Sequence, residues 1–294
     1  MSDSGPQRRS EHWPNEPATG PSIPGKTFMT QSQLTDLPEN KLPTSNDVPA
    51  YEGTTERKDN WWVEPALIAF VFTAFGIYSM FRAFENNLYE VGPYLSPFYS
   101  PNLKQYVPWF PLSPAFLILW IPLSFRATCY YYRKAYYRSY FLHPPACTVG
   151  MFKGKGYTGE QSFPFVLQNL HRYAFYFAVP VLLILWVDAF NTVYYGGAFH
   201  MSVLTVVMFA NCILLSGYTF GCHACRHLVG GKEDCFSCPK NEQKLKPAFQ
   251  AWQLVTKFNE RHQQWAWTSL ISVALTDLYI RYTCVDPSLA FQIF

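Results

Sequence analysis

The chain has 294 residues, of which 49% are hydrophobic, 18% aromatic and only 15% charged. The formal net charge of +3 is small, and no interleaved basic and aromatic RNA-binding motif accompanies it, which excludes nucleic acid as a partner. There is no GxxxxGK[ST] and no GxGxxG after a strand, which excludes a self-sufficient dehydrogenase or ATPase.

Residues 1–60 are polar. They carry Pro6, Pro14, Pro17, Pro21, Pro24, Pro38, Pro43 and Pro49 among Ser, Thr, Asn and Glu. Such a composition buries too little apolar surface to fold alone and predicts a disordered tail. No apolar stretch precedes Trp61, so no signal peptide is expected. Residues 61–294 then form a second unit, an all-α integral membrane bundle of about five transmembrane helices.

Five apolar blocks define that bundle: Trp61 to Arg82, Pro111 to Phe125, Tyr173 to Val187, Ala198 to Gly221 and Trp265 to Leu278. A span needs about 20 mostly apolar residues. The first and fourth blocks reach that length unaided, and the others reach it with their aromatic and polar flanks. Trp and Tyr cluster at the block ends, as in membrane-interface belts. The segment Arg126 to Arg172 holds seven Lys or Arg, Arg226 to Arg261 holds seven more, and residues 1–60 hold six. The opposite side holds only Arg82, Lys104 and Arg281. The positive-inside rule places the N-terminus and both basic loops in the cytoplasm and the C-terminus outside.

The histidines and cysteines follow this topology. Cys129, Cys147, His171, Cys222, His223, Cys225, His227, Cys235, Cys238 and His262 all fall at the cytoplasmic side, whereas His200 and Cys284 fall outside. Cysteines in a reducing compartment point to metal binding or redox work rather than disulfides. In GCHACRH, His223 and His227 are four residues apart and share a helix face, where two imidazoles can hold one metal. Cys222 and Cys129 would supply thiolates from helix ends, and Cys147 from a loop. Mixed His and Cys ligation is that of a Rieske-type [2Fe–2S] centre, and zinc accepts the same ligands. Haem b on His171 with His223 or His262 is the alternative. A second arrangement pairs Cys222/Cys225 with Cys235/Cys238 as a small zinc or iron–sulfur knuckle. Cys212 reads as a small core residue. Asp188 and Asp277 fall near the outer interface, and Arg281, four residues beyond Asp277, is a local partner for it. The tyrosines from Tyr130 to Tyr140, interleaved with Arg133, Lys134 and Arg138, form an interfacial belt or a docking surface. Trp265 and Trp267 are placed to line a slot beside it.

The stretches SPFYSP, FRATCYYYRKAYYRSYF, PPACTVG, LQNLHRYAFYFAV, GYTFGCHACRHLVGG, NERHQQWAW and TDLYIR resemble the five-helix membrane anchor of succinate dehydrogenase. The resemblance is to the actinobacterial type, with a membrane-embedded Rieske-type cluster, and runs from about Trp61 to the C-terminus. It implies a subunit of the bacterial cytoplasmic membrane that holds a flavoprotein and an iron–sulfur subunit and passes their electrons to quinone. The cluster ligands would come from Cys129, Cys147, His171, Cys222, His223 and His227, with His223 and His227 on the nitrogen-ligated iron. Arg126, Tyr130, His262 and Trp265 are the expected quinone contacts. The tail and the cysteines Cys225, Cys235 and Cys238 have no counterpart in the resemblance.

Overall fold

A computed structural model describes residues 55–152, 161, 163, 165–230 and 246–293. Most of the proline-rich tail, and the pair Cys235 and Cys238 with the knuckle built on it, lie outside the described residues.

The fold is all-α. Helix α1, Val63–Glu85, opens behind Trp61 and Trp62 with Glu64 in its first turn, where a carboxylate favours the positive helix end. It ends at Asn86, which takes the left-handed conformation (φ 52°). Only Pro65 and Ala83 of α1 are buried, and Leu67, Phe70, Ile77 and Phe81 are exposed around it. A helix apolar on nearly every face is stable where its solvent is lipid. Helix α2, Ala115–Ala127, is followed by Thr128, still in the helical region, and by Cys129 in extended conformation, then α3, Tyr130–Tyr136, which runs into a π turn at Tyr137–Phe141. Helix α4 spans His171–Asn191 and α5 Val203–Phe220. Ser202 caps α5, its side chain accepting from the Thr205 amide at 3.0 Å, which satisfies one of the donors every helix start leaves free. Short α6, His223–Gly230, and α7, Lys246–Glu260, pack together before α8, His262–Val285.

Of the five expected spans, Val63–Glu85, Phe165–Asn191 and Val203–Phe220 are long and apolar enough to cross a membrane. Helix α2 is apolar but has 13 residues, and α8 has 24 residues but carries Asp277 and Arg281. Pro122 in α2 and Pro180 in α4 sit inside helices, which membrane bundles tolerate because neighbouring helices and polar side chains re-satisfy the freed backbone groups. Helix α5 is central, packed on α8 and α4, with α2 against α4 and α1 on the outside.

Glycines make the α5–α8 crossing close. A Cβ on Gly217 would fall 2.6 Å from the indole of Trp265 on α8, and one on Gly221 would fall 3.1 Å from the carbonyl oxygen of Phe258 on α7, which leads directly into α8. That contact sets the start of α8, and with it His262, directly against the end of α5.

The end of the bundle away from this crossing is locked by charge. Asp277 is fully buried and Arg281 is 4% exposed. Arg281 Nε donates to Asp277 at 2.8 Å, realising the expected pair one helical turn apart, and its Nη1 reaches Glu85 at 3.1 Å and the Asn87 carbonyl at 2.8 Å. Tyr78 Oη (2.5 Å) and Ser96 Oγ also donate to Asp277. The Ser100 hydroxyl donates to Asp188. Both intramembrane acids are thus held by hydrogen bonds, and Asp277 joins α8, α1 and the loop after α1.

Candidate metal centre

At the other end, the last turns of α2 and α5 and the first turns of α4 and α8 converge. Antiparallel neighbours bring these four ends together, and each end delivers one functional side chain: Cys129 after α2, His171 opening α4, Cys222 after α5 and His262 opening α8. Cys129 and Cys222 are each 1% exposed. Cys129 Sγ lies 3.4 Å from His262 Nε2, and Cys222 Sγ lies 2.8 Å from His171 Nε2. Burial pushes both thiols above their usual range, and the neighbouring Cys129 adds to the rise at Cys222. Binding a metal would therefore release their protons.

The tautomer of His171 follows from its partners. Thr128 Oγ1 gives its proton to the Ser124 carbonyl at 2.7 Å, and so accepts from His171 Nδ1 at 2.9 Å. That leaves Nε2 unprotonated and turned to Cys222. A ring N–H held by an outer partner while the other nitrogen faces the donor set is the habit of a ligating histidine. Flat aromatic partners fix both rings: Phe125 stacks on His171 with centroids 5.0 Å apart, and Tyr218 on His262 at 5.0 Å. Nδ1 of His262 is buried without a hydrogen-bond partner.

Beside the group stands Arg126. It donates to Tyr132 Oη at 2.6 Å and Ser269 Oγ at 3.0 Å, and its guanidinium lies 4.5 Å from the Tyr218 ring centre. Tyr132 in turn donates to the Ala266 carbonyl at 2.6 Å. A partly buried cation here favours negative charge on nearby thiolates.

The other expected site residues fall differently. His223 and His227 do share a face of α6, with ring centroids 4.5 Å apart, but both are exposed. Burial, then His227 and Arg226 beside it, lower the affinity of His223 for a proton. Cys147 is exposed in the loop before α4, where its carbonyl accepts from Arg57 at 3.0 Å. Tyr130 is 67% exposed with Arg133 over its ring. Trp265 packs on Gly217, and its Nε1 is buried without a partner. His262, expected as a quinone contact, stands instead beside Cys129. Thr128, Phe125 and Tyr218 were not singled out in the sequence. Only the adjacency of Thr128 to Cys129 gave a signal.

Fold and site together define a helical membrane bundle with paired thiols and imidazoles buried at one end. The family profile described as actinobacterial succinate dehydrogenase subunit SdhC matches residues 63–286. A chain of the Mycobacterium smegmatis Sdh1 complex in the apo form is similar, with a TM-score of 0.74 and 39% identity over 82% of this chain and 94% of that one. No curated protein sequence matches. The chain belongs to the actinobacterial SdhC family, and is a membrane subunit of succinate dehydrogenase.

Proposed function

We propose that this subunit anchors the flavoprotein and iron–sulfur subunits of succinate dehydrogenase and delivers their electrons to membrane quinone, with a [2Fe–2S] cluster held by Cys129, Cys222, His171 and His262. The observation that carries this reading is the donor set. Two thiols and two imidazoles, three of the four from the expected pool, meet in a dry pocket as two Cys–His pairs. Among the described residues no three such side chains converge on a single ion; the four donors are set as two Cys–His pairs. A Rieske-type centre takes its thiolates on one iron and its imidazoles on the other, so housing one would require these side chains to exchange partners.

Such a cluster supplies reversible one-electron storage. The chain's own residues hold and insulate it: Thr128 orients His171, Phe125 and Tyr218 clamp the two rings, and Arg126 offsets negative charge. Arg126, Tyr130 and Trp265 remain the proposed quinone contacts, and the buried, unpartnered Trp265 Nε1 is a donor suited to a quinone carbonyl. Charge supports a cytoplasmic site end. Arg57, Arg133, Lys134, Arg138, Arg172, Arg226, Lys257 and Arg261 lie there. At the other end Arg82 and Arg281 are neutralised by Glu85 and Asp277. The N-terminus is accordingly cytoplasmic and the C-terminus external.

The experiment is EPR of the reduced complex with iron and zinc quantified, comparing wild type with His171→Ala, His262→Ala and His223→Ala. Loss of one [2Fe–2S] signal and its iron in the first two, with His223→Ala unchanged, is expected. Zinc in place of iron, a haem spectrum, or a signal lost only with His223→Ala would overturn the assignment.

A further inference from the structure

A cavity of about 300 Å³ opens at the same end of the bundle, between the start of α1, helix α3 and the loop before α4. It is separate from the four paired side chains. Its polar wall holds Lys134 from α3 and Arg138 from the π turn that follows it, Arg57 and Asp59 from the segment before α1, and Glu64 from the first turn of α1. Its apolar wall is Trp61, Pro65 and Ile68.

These charges are not equivalent. Arg57 is spent: its Nε donates to Asp59 at 2.7 Å, its Nη2 makes a second bond to the same carboxylate, and its Nη1 serves the Cys147 carbonyl. Among the described residues, Lys134 and Arg138 form no ion pair, and neither does Glu64. Ser139 also lines the cavity, and its Oγ is buried without a partner. The cavity therefore presents two uncommitted cations, one uncommitted carboxylate and a free hydroxyl.

We propose that this cavity binds the headgroup of a membrane glycerophospholipid bearing a primary ammonium, of the ethanolamine class. The phosphodiester meets Lys134 and Arg138, with Ser139 as a further donor, and the ammonium meets Glu64. Charge-assisted bonds of this kind are the strong ones. A lipid rather than free phosphate is indicated by position. Pro65 and Ile68 of that wall lie in the first two turns of α1, and Leu67, one turn beyond Glu64 at the cavity edge, is 59% exposed. An acyl chain leaving the cavity past Glu64 meets Leu67, its neighbour on the helix surface. Glu64 disfavours a purely anionic headgroup, because the second negative charge would lie against a carboxylate. This assignment is independent of which metal the buried thiols hold.

The test uses the whole complex, purified in detergent and depleted of lipid. Phosphatidylethanolamine, phosphatidylglycerol and inorganic phosphate are titrated separately, with binding read by native mass spectrometry and thermal unfolding. Wild type should retain phosphatidylethanolamine in preference to the other two. Lys134→Gln with Arg138→Gln should weaken that binding about tenfold or more, and Glu64→Gln should erase the preference over phosphatidylglycerol. Lys134 is exposed, so Lys134→Gln alone provides a variant that folds, and succinate oxidation with a soluble acceptor verifies assembly. Equal stabilisation by inorganic phosphate would make this a free-anion site and overturn the proposal. So would undiminished lipid retention in the double variant, or displacement of the lipid by a photoactivatable quinone that labels the cavity wall.

Discussion

Nε2 of His171 lies 2.8 Å from Sγ of Cys222 while Nδ1 of the same ring is held 2.9 Å from the Thr128 hydroxyl. The two contacts fix both the plane and the tautomer of the imidazole. Thr128→Val keeps the side-chain shape and removes the acceptor. Loss of such an outer partner typically costs about 10- to 100-fold in metal affinity. With the proposed cluster in place, the variant complex should therefore release iron to a chelator at correspondingly lower concentration, and Thr128→Ser should restore retention. Unchanged release kinetics in Thr128→Val would show that the hydroxyl does not act through His171.

A second consequence concerns the exposed pair. His223→Ala and His227→Ala remove neighbouring imidazoles from α6 but touch neither thiol–imidazole pair. Iron content and quinone reductase activity should stay near wild type in both. Cys129→Ala and Cys222→Ala should each lose the anchor iron, because thiolates are the ligands least replaceable by water. Iron analysis of the four variants side by side checks this, and iron loss confined to the histidine variants would reverse the assignment.

The contrast between these two histidine sets shows what a sequence can reveal. His223 and His227 are four apart, so their shared face follows from helix geometry alone. The pairs that meet in the structure join residues 133 and 51 positions apart, and no local periodicity encodes them. What was legible was the gathering of Cys and His at one end, because successive spans alternate direction. The Asp277–Arg281 pair was legible for the same local reason. Its completion by Glu85, Tyr78 and Ser96 was not, since those partners lie on α1 and the following loop. Helix α7 was read as part of a basic loop, although Phe249, Trp252 and Val255 recur every third residue on one face. Its charged and polar residues outweigh that apolar stripe in any search for spans.

The buried ion pair gives a stability prediction. Asp277→Asn leaves Arg281, 4% exposed, with one carboxylate instead of two. Removing one member of a buried pair typically costs about 3–5 kcal/mol. The complex should unfold at a clearly lower temperature, while Arg82→Gln, at a partly exposed pair, should cost no more than about 1 kcal/mol. An apolar double replacement, Asp277→Leu with Arg281→Met, should recover much of the loss, because neither charge then needs a partner. Thermal unfolding of the three variants separates these outcomes, and a double variant less stable than Asp277→Asn would show that the network supplies net stability.

Gly217 and Gly221 test how the α5–α8 crossing positions His262. A methyl on Gly217 meets the ring of Trp265 at 2.6 Å, and a methyl on Gly221 meets backbone: the Gly217 carbonyl at 2.5 Å and the Phe258 carbonyl at 3.1 Å. A side chain can rotate away, whereas the Gly217 carbonyl belongs to Gly221's own helix turn and the Phe258 carbonyl to α7, so relief requires the last turn of α5 to distort and α7 to shift. Overpacking costs typically run about 1–3 kcal/mol, so Gly217→Ala should fall low in that range and Gly221→Ala at the top or beyond. A shift of α7, which runs into α8 through Arg261, would also draw His262 away from Cys129. Gly221→Ala should accordingly weaken iron retention, while Gly217→Ala chiefly alters Trp265 fluorescence. Equal iron content in both variants, at unequal stability, would show that the centre does not depend on this crossing.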